Sequence, residues 1–196
     1  QNPPGGTVKV VEWLEETLDE RPLSVERFEV DPEKPNLVAT LPGRTDRTLC
    51  FNGHLDTVQF YASDWSRDPL GEREDDRIYG RGATDMKGAV AAMLQVALAY
   101  ARTGTEPPMS LQLAFVSDEE TGGDAGLTTL LETTDFAPDA CIVGETTARD
   151  GRHSVSVADR GNIWLTVEAS GTAAHGSRPM LGENAIDRVT EAVDRL

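Results

Sequence analysis

One histidine and several carboxylates recur at the ends of apolar segments of this chain. They are His54, Asp85, Glu119, Glu120 and Glu145. His54 follows the apolar run 48–52, and Glu145 follows the apolar run 140–143. Imidazole nitrogens and carboxylate oxygens are ligands for divalent cations, and two neighbouring cations can activate water and polarise a carbonyl. The pattern therefore predicts a two-metal hydrolytic site.

Each of these residues also has an ordinary structural interpretation when it is taken alone. Asp85 could accept backbone N–H bonds as a helix N-cap, and Glu119 with Glu120 could form a solvated acidic turn. His54 could be a hydrogen-bonded loop histidine. Short motifs often match by chance, but here four separate segments of the chain deliver residues of ligand type. Their combination favours a metal site over four coincidences.

The segments that carry these residues alternate between strand and helix patterns. Apolar spacing predicts helices at 7–20, 86–102 and 125–133, and strands at 24–30, 36–41, 48–52, 111–116 and 140–143. Strands and helices in alternation imply right-handed crossovers and a mostly parallel sheet with helices on both faces, which is a three-layer α/β sandwich. In such sheets ligands bind beyond the carboxyl ends of the strands, which is where the candidate ligands lie.

The pattern changes towards the end of the chain. Residues 153–157 and 162–169 alternate between polar and apolar side chains, which predicts strands with one solvent-facing side. A helix is predicted at 185–196. We therefore expect two domains, with the metal-binding part of a catalytic domain over 1–158 and the start of an open-faced α+β domain over 159–196.

The chain is strongly acidic, with a formal net charge of −16 at pH 7. Such a charge repels nucleic acid and anionic membranes, so neither is an expected partner. Only three of the 18 basic residues are lysines. This composition favours adaptation to high salt over an ordinary acidic cytosolic protein, because salt screens the self-repulsion of an acidic surface.

The sequence contains no candidate membrane span, since no run approaches the ~20 apolar residues that a span needs. Cys50 and Cys141 each lie in an apolar run, which predicts two buried thiols in a reducing, cytoplasmic compartment. The first residue is Gln1 rather than Met, so we expect the natural N-terminus to lie upstream.

Four motifs resemble those of one enzyme family and occur in the family's order. They are NGHLDTV at 52–58, YGRGATDMKG at 79–88, SDEETGG at 117–123 and GETT at 144–147. A further block at 171–186 is similar to the start of that family's lid and dimerisation domain. The family is the zinc aminoacylase family, which includes acetylornithine deacetylase, succinyl-diaminopimelate desuccinylase, aminoacylase and glutamate carboxypeptidase. The resemblance implies a zinc-peptidase-like fold and hydrolysis of the amide bond of an N-acyl amino acid or small peptide.

The resemblance also implies a role for each candidate ligand. His54 and Glu145 would hold one zinc ion, and Glu120 would hold the other. Asp85 would bridge the two ions, because a carboxylate can offer one oxygen to each. Asp56 would orient the imidazole of His54 and select its tautomer. Cobalt is an alternative to zinc.

Two further residues, Glu119 and His175, enter through the same resemblance. Glu119 would be the general base, deprotonating water and later protonating the leaving amine. His175 would reach the active site of a neighbouring subunit in a homodimer and donate a hydrogen bond to the substrate, although it could be an ordinary loop histidine. His153 matches no motif, and we interpret it as structural. The family takes one more metal-binding histidine from its C-terminal region, and this chain has no candidate for it, so we expect a fragment of a longer protein.

Two other interpretations remain open from the sequence. The chain could be a non-catalytic metal-binding or assembly protein with this fold, although such a scaffold has no need of Glu119. It could also be an inactive fragment of such an enzyme. The motifs do not separate a deacylase from a carboxypeptidase, and they do not identify the acyl group.

Overall fold

The computed structural model describes residues 6–19, 21–147, 152, 154–158, 161, 163 and 165–195. The chain divides into two compact units, Gln1–His153 and Ser154–Leu196. Gln1 and His153, for which the sequence suggested a missing N-terminal segment and a structural role, lie outside the described residues. None of the described helices is long and apolar enough to cross a membrane.

The first unit combines β-strands with α-helices. Its strands are β1 (Ser24–Phe28), β2 (Asn36–Leu41), β3 (Thr48–His54), β4 (Glu72–Glu74), β5 (Arg77–Tyr79), β6 (Ser110–Val116) and β7 (Ala140–Val143). Its helices are α1 (Val8–Leu18), α2 (Gly88–Thr103) and α3 (Thr129–Thr133). The short strands β4 and β5 pair with each other, and the other strands form one sheet.

The order of strands across the main sheet is β1-β2-β6-β3-β7. β3 pairs in parallel with β6 and with β7, whereas β1 and β2 add antiparallel pairs at one edge. The chain passes from β3 to β6 through α2 and returns across β3 to β7 through α3. Right-handed crossovers that run in opposite directions place their helices on opposite faces of a sheet.

Two apolar clusters, one on each face of the sheet, form the core of this unit. Side chains alternate between the faces along a strand, so Leu113 and Phe115 of β6 pack with α1 and α2. Ala114 and Val116 of the same strand pack with Leu130 of α3. The parallel central strands and the helices on both faces confirm the three-layer α/β fold predicted from the sequence.

The helix predicted at 125–133 is shorter than expected, with regular α form only over Thr129–Thr133. The reason is Gly126, whose φ of −97° and ψ of −118° are not helical. A Cβ atom at this position would lie 2.0 Å from the carbonyl oxygen of Ser117. The close approach of these two backbone segments therefore requires glycine and delays the start of α3.

The two cysteines differ in exposure, which the sequence did not predict. Cys50 is buried in β3, but Cys141 of β7 is exposed. They are direct neighbours in the register of the parallel pair. The expectation of two buried thiols is wrong for Cys141 because β7 is the edge strand of the sheet, and all four of its residues are exposed.

The second unit contains a regular helix, α4 (Ala185–Val193), which is capped by the side chain of Asn184. The strands expected over 153–157 and 162–169 are absent from the described residues of those segments. An alternating sequence becomes a strand only where a neighbouring strand supplies backbone hydrogen bonds, and the described residues of both segments lack such a neighbour. The expected position of the domain boundary and the assignment of this unit to a lid domain stay predictions.

Candidate metal centre

Three neighbouring parallel strands end at one edge of the sheet, and candidate ligands lie at or soon after the end of each strand. His54 is the last residue of β3, the middle strand of the three. Glu119 and Glu120 follow β6 on one side, and Glu145 follows β7 on the other. Since parallel strands point the same way, their trailing residues emerge at the same edge.

The imidazole of His54 is buried, with 2% of the residue exposed, and both ring nitrogens have partners. Nδ1 lies 3.0 Å from the backbone oxygen and 3.4 Å from Oδ1 of Asp56. Nε2 lies 3.0 Å from Oδ1 of Asp85 and 3.4 Å from Oε1 of Glu145. If the Nδ1 hydrogen is donated to Asp56, the Nε2 lone pair is left for a cation.

One ligand atom from each of His54, Asp85 and Glu145 lies within 4.8 Å of the others, which is a spacing that suits a metal ion. Two donors on a tetrahedral zinc ion, each about 2.1 Å from it, are about 3.4 Å apart. The distances from the imidazole nitrogen to the two carboxylates are 3.0 and 3.4 Å. Three protein ligands also leave a coordination position for water or substrate, as catalytic sites require. The donor set therefore fits a divalent cation.

Asp85 lies in the short turn Ala83–Lys87, just before α2. Its φ of −115° and ψ of 98° are extended rather than helical, and its side chain is half exposed. The N-cap position of α2 is Lys87, and no side-chain capping bond is made there. The helix-cap interpretation of Asp85 is therefore wrong, and its carboxylate is directed at His54 instead.

Asp56 is buried and connects two parts of the site. One side of its carboxylate faces the His54 ring. Its oxygens also accept the backbone N–H groups of Glu119 at 3.3 Å and of Glu120 at 3.0 Å. The sequence suggested only the first of these contacts. The contacts with the two N–H groups attach the acidic turn that follows β6 to Asp56.

Glu119 and Glu120 leave this turn with different surroundings. The side chain of Glu120 accepts the backbone N–H of Val58 at 3.2 Å. Glu119 is exposed and lines a cavity of about 210 Å³ together with His54 and Glu145. Within the part of the chain that the structure describes, neither glutamate belongs to the three-residue ligand group.

The electrostatics of the site reflect the crowding of carboxylates. Burial and the charge of Asp85 raise the pKa of Glu120. Burial and the charges of Asp85 and Glu119 likewise raise the pKa of Glu145, against the attraction of His54. Mutual repulsion of this kind is what a bound divalent cation relieves.

The pKa of His54 is raised to about 9. Burial disfavours the imidazolium, but hydrogen bonds to Asp56 and Asp85 outweigh that effect. Burial raises the pKa of Asp56, in contrast, yet the His54 ring and the Glu120 N–H lower it below its usual value. Without a metal the two therefore form an imidazolium–carboxylate pair at neutral pH.

Lys87 is a residue of the site that the sequence did not single out. Its Nζ atom is buried and has no hydrogen-bond partner among the described residues. Burial lowers its pKa, while the charges of Asp56, Glu120 and Asp85 oppose that shift. Its position inside the YGRGATDMKG motif, two residues after Asp85, was the available signal.

His175 belongs to the second unit, where it is exposed. Its Nδ1 accepts the backbone N–H of Ser177 at 3.2 Å and lies 2.9 Å from the hydroxyl of the same residue. An accepting Nδ1 places the ring hydrogen on Nε2, which can then act as a donor. The role suggested for His175 at a neighbouring subunit stays a prediction.

Comparisons with known proteins show the family to which the chain belongs. Residues 50–196 match the model of peptidase family M20/M25/M40. A succinyl-diaminopimelate desuccinylase from Parvibaculum lavamentivorans is 37% identical over 207 aligned positions, which cover 98% of this chain and 50% of that protein. An acetylornithine deacetylase from Vibrio campbellii is 35% identical over 191 positions, covering 96% and 48%. The chain thus spans about half the length of these curated relatives.

The fold has solved counterparts as well. A tripeptidase from Staphylococcus aureus superposes with a TM-score of 0.64 at 22% identity, covering 98% of this chain and 52% of that one. At this level of identity the likeness concerns the fold alone.

Proposed function

The chain belongs to peptidase family M20/M25/M40, and on this premise we propose that the protein is a two-metal hydrolase of amide bonds. Membership confirms the resemblance found in the motifs of the sequence. The observation that carries the proposal is the convergence of His54, Asp85 and Glu145 at the carboxyl edge of the sheet.

We assign His54 and Glu145 to one divalent cation, Glu120 to a second and Asp85 to both. The first set is supported by ligand atoms within 4.8 Å of one another. The second is supported by the proximity of Asp85 to Glu120, since burial and the charge of Asp85 together raise the pKa of Glu120. Bound zinc, or cobalt in its place, would polarise the substrate carbonyl and lower the pKa of water.

Glu119 is the general base in this proposal. Its carboxylate shares a cavity with His54 and Glu145, and the residue is exposed to solvent. It takes a proton from the attacking water and returns it to the departing amine. Asp56 accepts the Glu119 N–H, and this bond keeps the base in place beside the ligands.

The proposed substrate is an N-acyl amino acid or a small peptide. The two curated relatives are named as a desuccinylase and a deacetylase, which favours removal of an acyl group from an amino acid. We further propose that the protein is a homodimer, in which the Nε2–H of His175 donates a hydrogen bond to the substrate held by the other subunit. A cytoplasmic location is expected because Cys50 and Cys141 are free thiols.

The test is an assay of metal-free protein before and after addition of Zn²⁺ or Co²⁺, with N-succinyl amino acids, N-acetyl amino acids and dipeptides as substrates. We expect hydrolysis only after metal addition. Metal binding without hydrolysis of any of these compounds would instead indicate a non-catalytic metal-binding protein or an inactive fragment.

A further inference from the structure

The acidic turn after β6 rests on a buried carboxylate. Asp118 precedes Glu119 directly and is 6% exposed. Its oxygens accept hydrogen bonds from the ammonium of Lys34, the hydroxyl of Thr121 and the backbone N–H of Ala125. The backbone of Asp118 has a φ of 72°, a left-handed conformation that is uncommon for a residue with a side chain. These bonds hold the turn in a shape it would not adopt by itself.

A second set of buried polar contacts ties the same turn to the start of β2 and the residue before it. The N–H of Ser117 donates to Oδ1 of Asn36 at 2.9 Å, and the Asn36 amide donates to the carbonyl of Ala125 at 2.8 Å. The Ser117 hydroxyl donates to the carbonyl of Pro35 at 2.5 Å. Asn36 and Ser117 are fully buried, so these bonds are shielded from competing water.

The turn is therefore held between two buried carboxylates. The Asp118 carboxylate is one of them, and the backbone carbonyl of the same residue accepts the N–H of Gly123 at 2.7 Å. The Asp56 carboxylate is the other, and it accepts the backbone N–H groups of Glu119 and Glu120 on the side of the candidate metal ligands. The directions in which the two glutamates leave the backbone depend on both anions.

We propose that Lys34 is a positioning residue of the site, which holds Glu119 and Glu120 in their working directions through its ion pair with Asp118. The inference rests on the proposed function for the roles of these glutamates. Lys34 supplies the cation that a buried carboxylate needs, since the other donors to Asp118 are neutral. Without that cation Asp118 becomes an uncompensated buried anion, and the turn relaxes towards solvent.

Lys34 stands more than 80 positions before the glutamates and reaches them through Asp118, to which its ammonium donates. It lies between Glu33 and Pro35, outside every motif that the sequence offered. The link between Lys34 and Asp118 exists only because β2 and β6 are neighbours in the sheet.

The test compares Lys34→Met, which removes the charge at similar length, with Lys34→Arg, which keeps it. Lys9→Met is the matched control, since Lys9 is an exposed lysine of α1 and its loss changes the net charge equally. In metal-free protein, hydrogen exchange of the amides at 119–123 should accelerate at least tenfold in Lys34→Met. Lys34→Arg and the control should keep the original rates. If Lys34→Met fails to fold, Lys34→Gln takes its place, because its amide can still donate a neutral bond.

In the metal-loaded protein, Lys34→Met should lower kcat about tenfold with KM changed less than twofold, and Lys34→Arg should restore kcat. Unchanged exchange at 119–123 together with unchanged kcat would overturn the inference. So would a general acceleration of exchange across the sheet, which indicates lost stability instead of a misplaced turn. Should the unaltered protein hydrolyse no substrate, the proposed function fails, and the exchange result still decides the role of Lys34.

Discussion

Asp56 accepts the backbone N–H of Glu120 at 3.0 Å, although 64 positions separate the two residues along the chain. The same carboxylate faces the ring of His54. One buried side chain thus fixes the orientation of a candidate metal ligand on β3 and the position of a second one after β6. The ligand sets of the two proposed cations are coupled through it.

Replacing Asp56 should therefore weaken both parts of the site. Asp56→Asn puts an amide N–H where the carboxylate accepts from His54 and from the turn, so one of these bonds is lost. We expect zinc affinity to fall about 10- to 100-fold, as happens when the partner of a ligating histidine is removed. Competition with a chromophoric chelator measures the change. Asp46→Asn, at an exposed position between β2 and β3, is the control, and an equal loss of affinity there would contradict the prediction.

The adjacent glutamates should separate catalysis from metal binding. Glu119→Gln should retain zinc and lose turnover by a factor of about 10² to 10⁴, because a general base is removed while the ligands remain. Glu120→Gln should lose one equivalent of zinc. Elemental analysis and initial rates provide the two measurements. Loss of zinc in Glu119→Gln would mean that the roles of the two residues are reversed.

Zinc binding should depend steeply on pH. The pKa of His54 is about 9 in the metal-free protein, so the ring is protonated at pH 7 and must release a proton before it can coordinate. Apparent affinity should therefore rise with pH, by about tenfold per unit from this residue, and level off near pH 9. Calorimetric titrations in buffers of different ionisation enthalpy count the released protons. Zinc binding at pH 7 without proton release would be inconsistent with the prediction.

The same pKa predicts that the folding stability of the metal-free protein falls as the pH rises, whereas the zinc affinity rises. A pKa raised above the unfolded value of about 6.5 means that the protonated ring stabilises the fold. This contribution is complete below pH 6.5 and is lost as the pH rises through about 9. In urea unfolding of the metal-free protein, the free energy of unfolding should fall across this pH range, and the His54→Gln variant should not show that fall.

The acidic composition predicts a dependence of stability on salt. With a net charge of −16, self-repulsion grows as ionic strength falls, because the screening length increases from about 8 Å at 0.15 M to about 30 Å at 0.01 M. Dialysis from molar to millimolar salt should lower the melting temperature or unfold the protein. An unchanged melting temperature would remove the argument for adaptation to high salt.

Much of the fold was predictable because local pattern and global packing agree. The alternation along β6 already separates Leu113 from Ala114, and the sheet places them on opposite faces. The predictions that were wrong concern segments whose structure depends on a neighbouring strand. Residues 165–169 alternate like a strand but pair with no strand among the residues that the structure describes, and Cys141 is exposed because its strand lies at an edge.

The candidate site followed the same division. His54, Asp85 and Glu145 were recognisable because they lie within motifs at a strand end or just before a helix, and such chemistry is carried by residue type and local spacing. Lys34 and Asp118 were not recognisable, since neither residue type nor spacing marks an ion pair between segments 84 positions apart.

The sequence by itself determined the family and the three-layer plan and marked the candidate metal ligands, because these depend on periodicity and on motifs that are local in the chain. The tertiary structure alone decided which carboxylate oxygens face the His54 ring and which accept the backbone N–H groups of the acidic turn. Only the strand order β6-β3-β7 places His54 between the two acidic segments. Burial of Asp56 and Asp118 then makes each of their hydrogen bonds strong enough to hold the acidic turn in place.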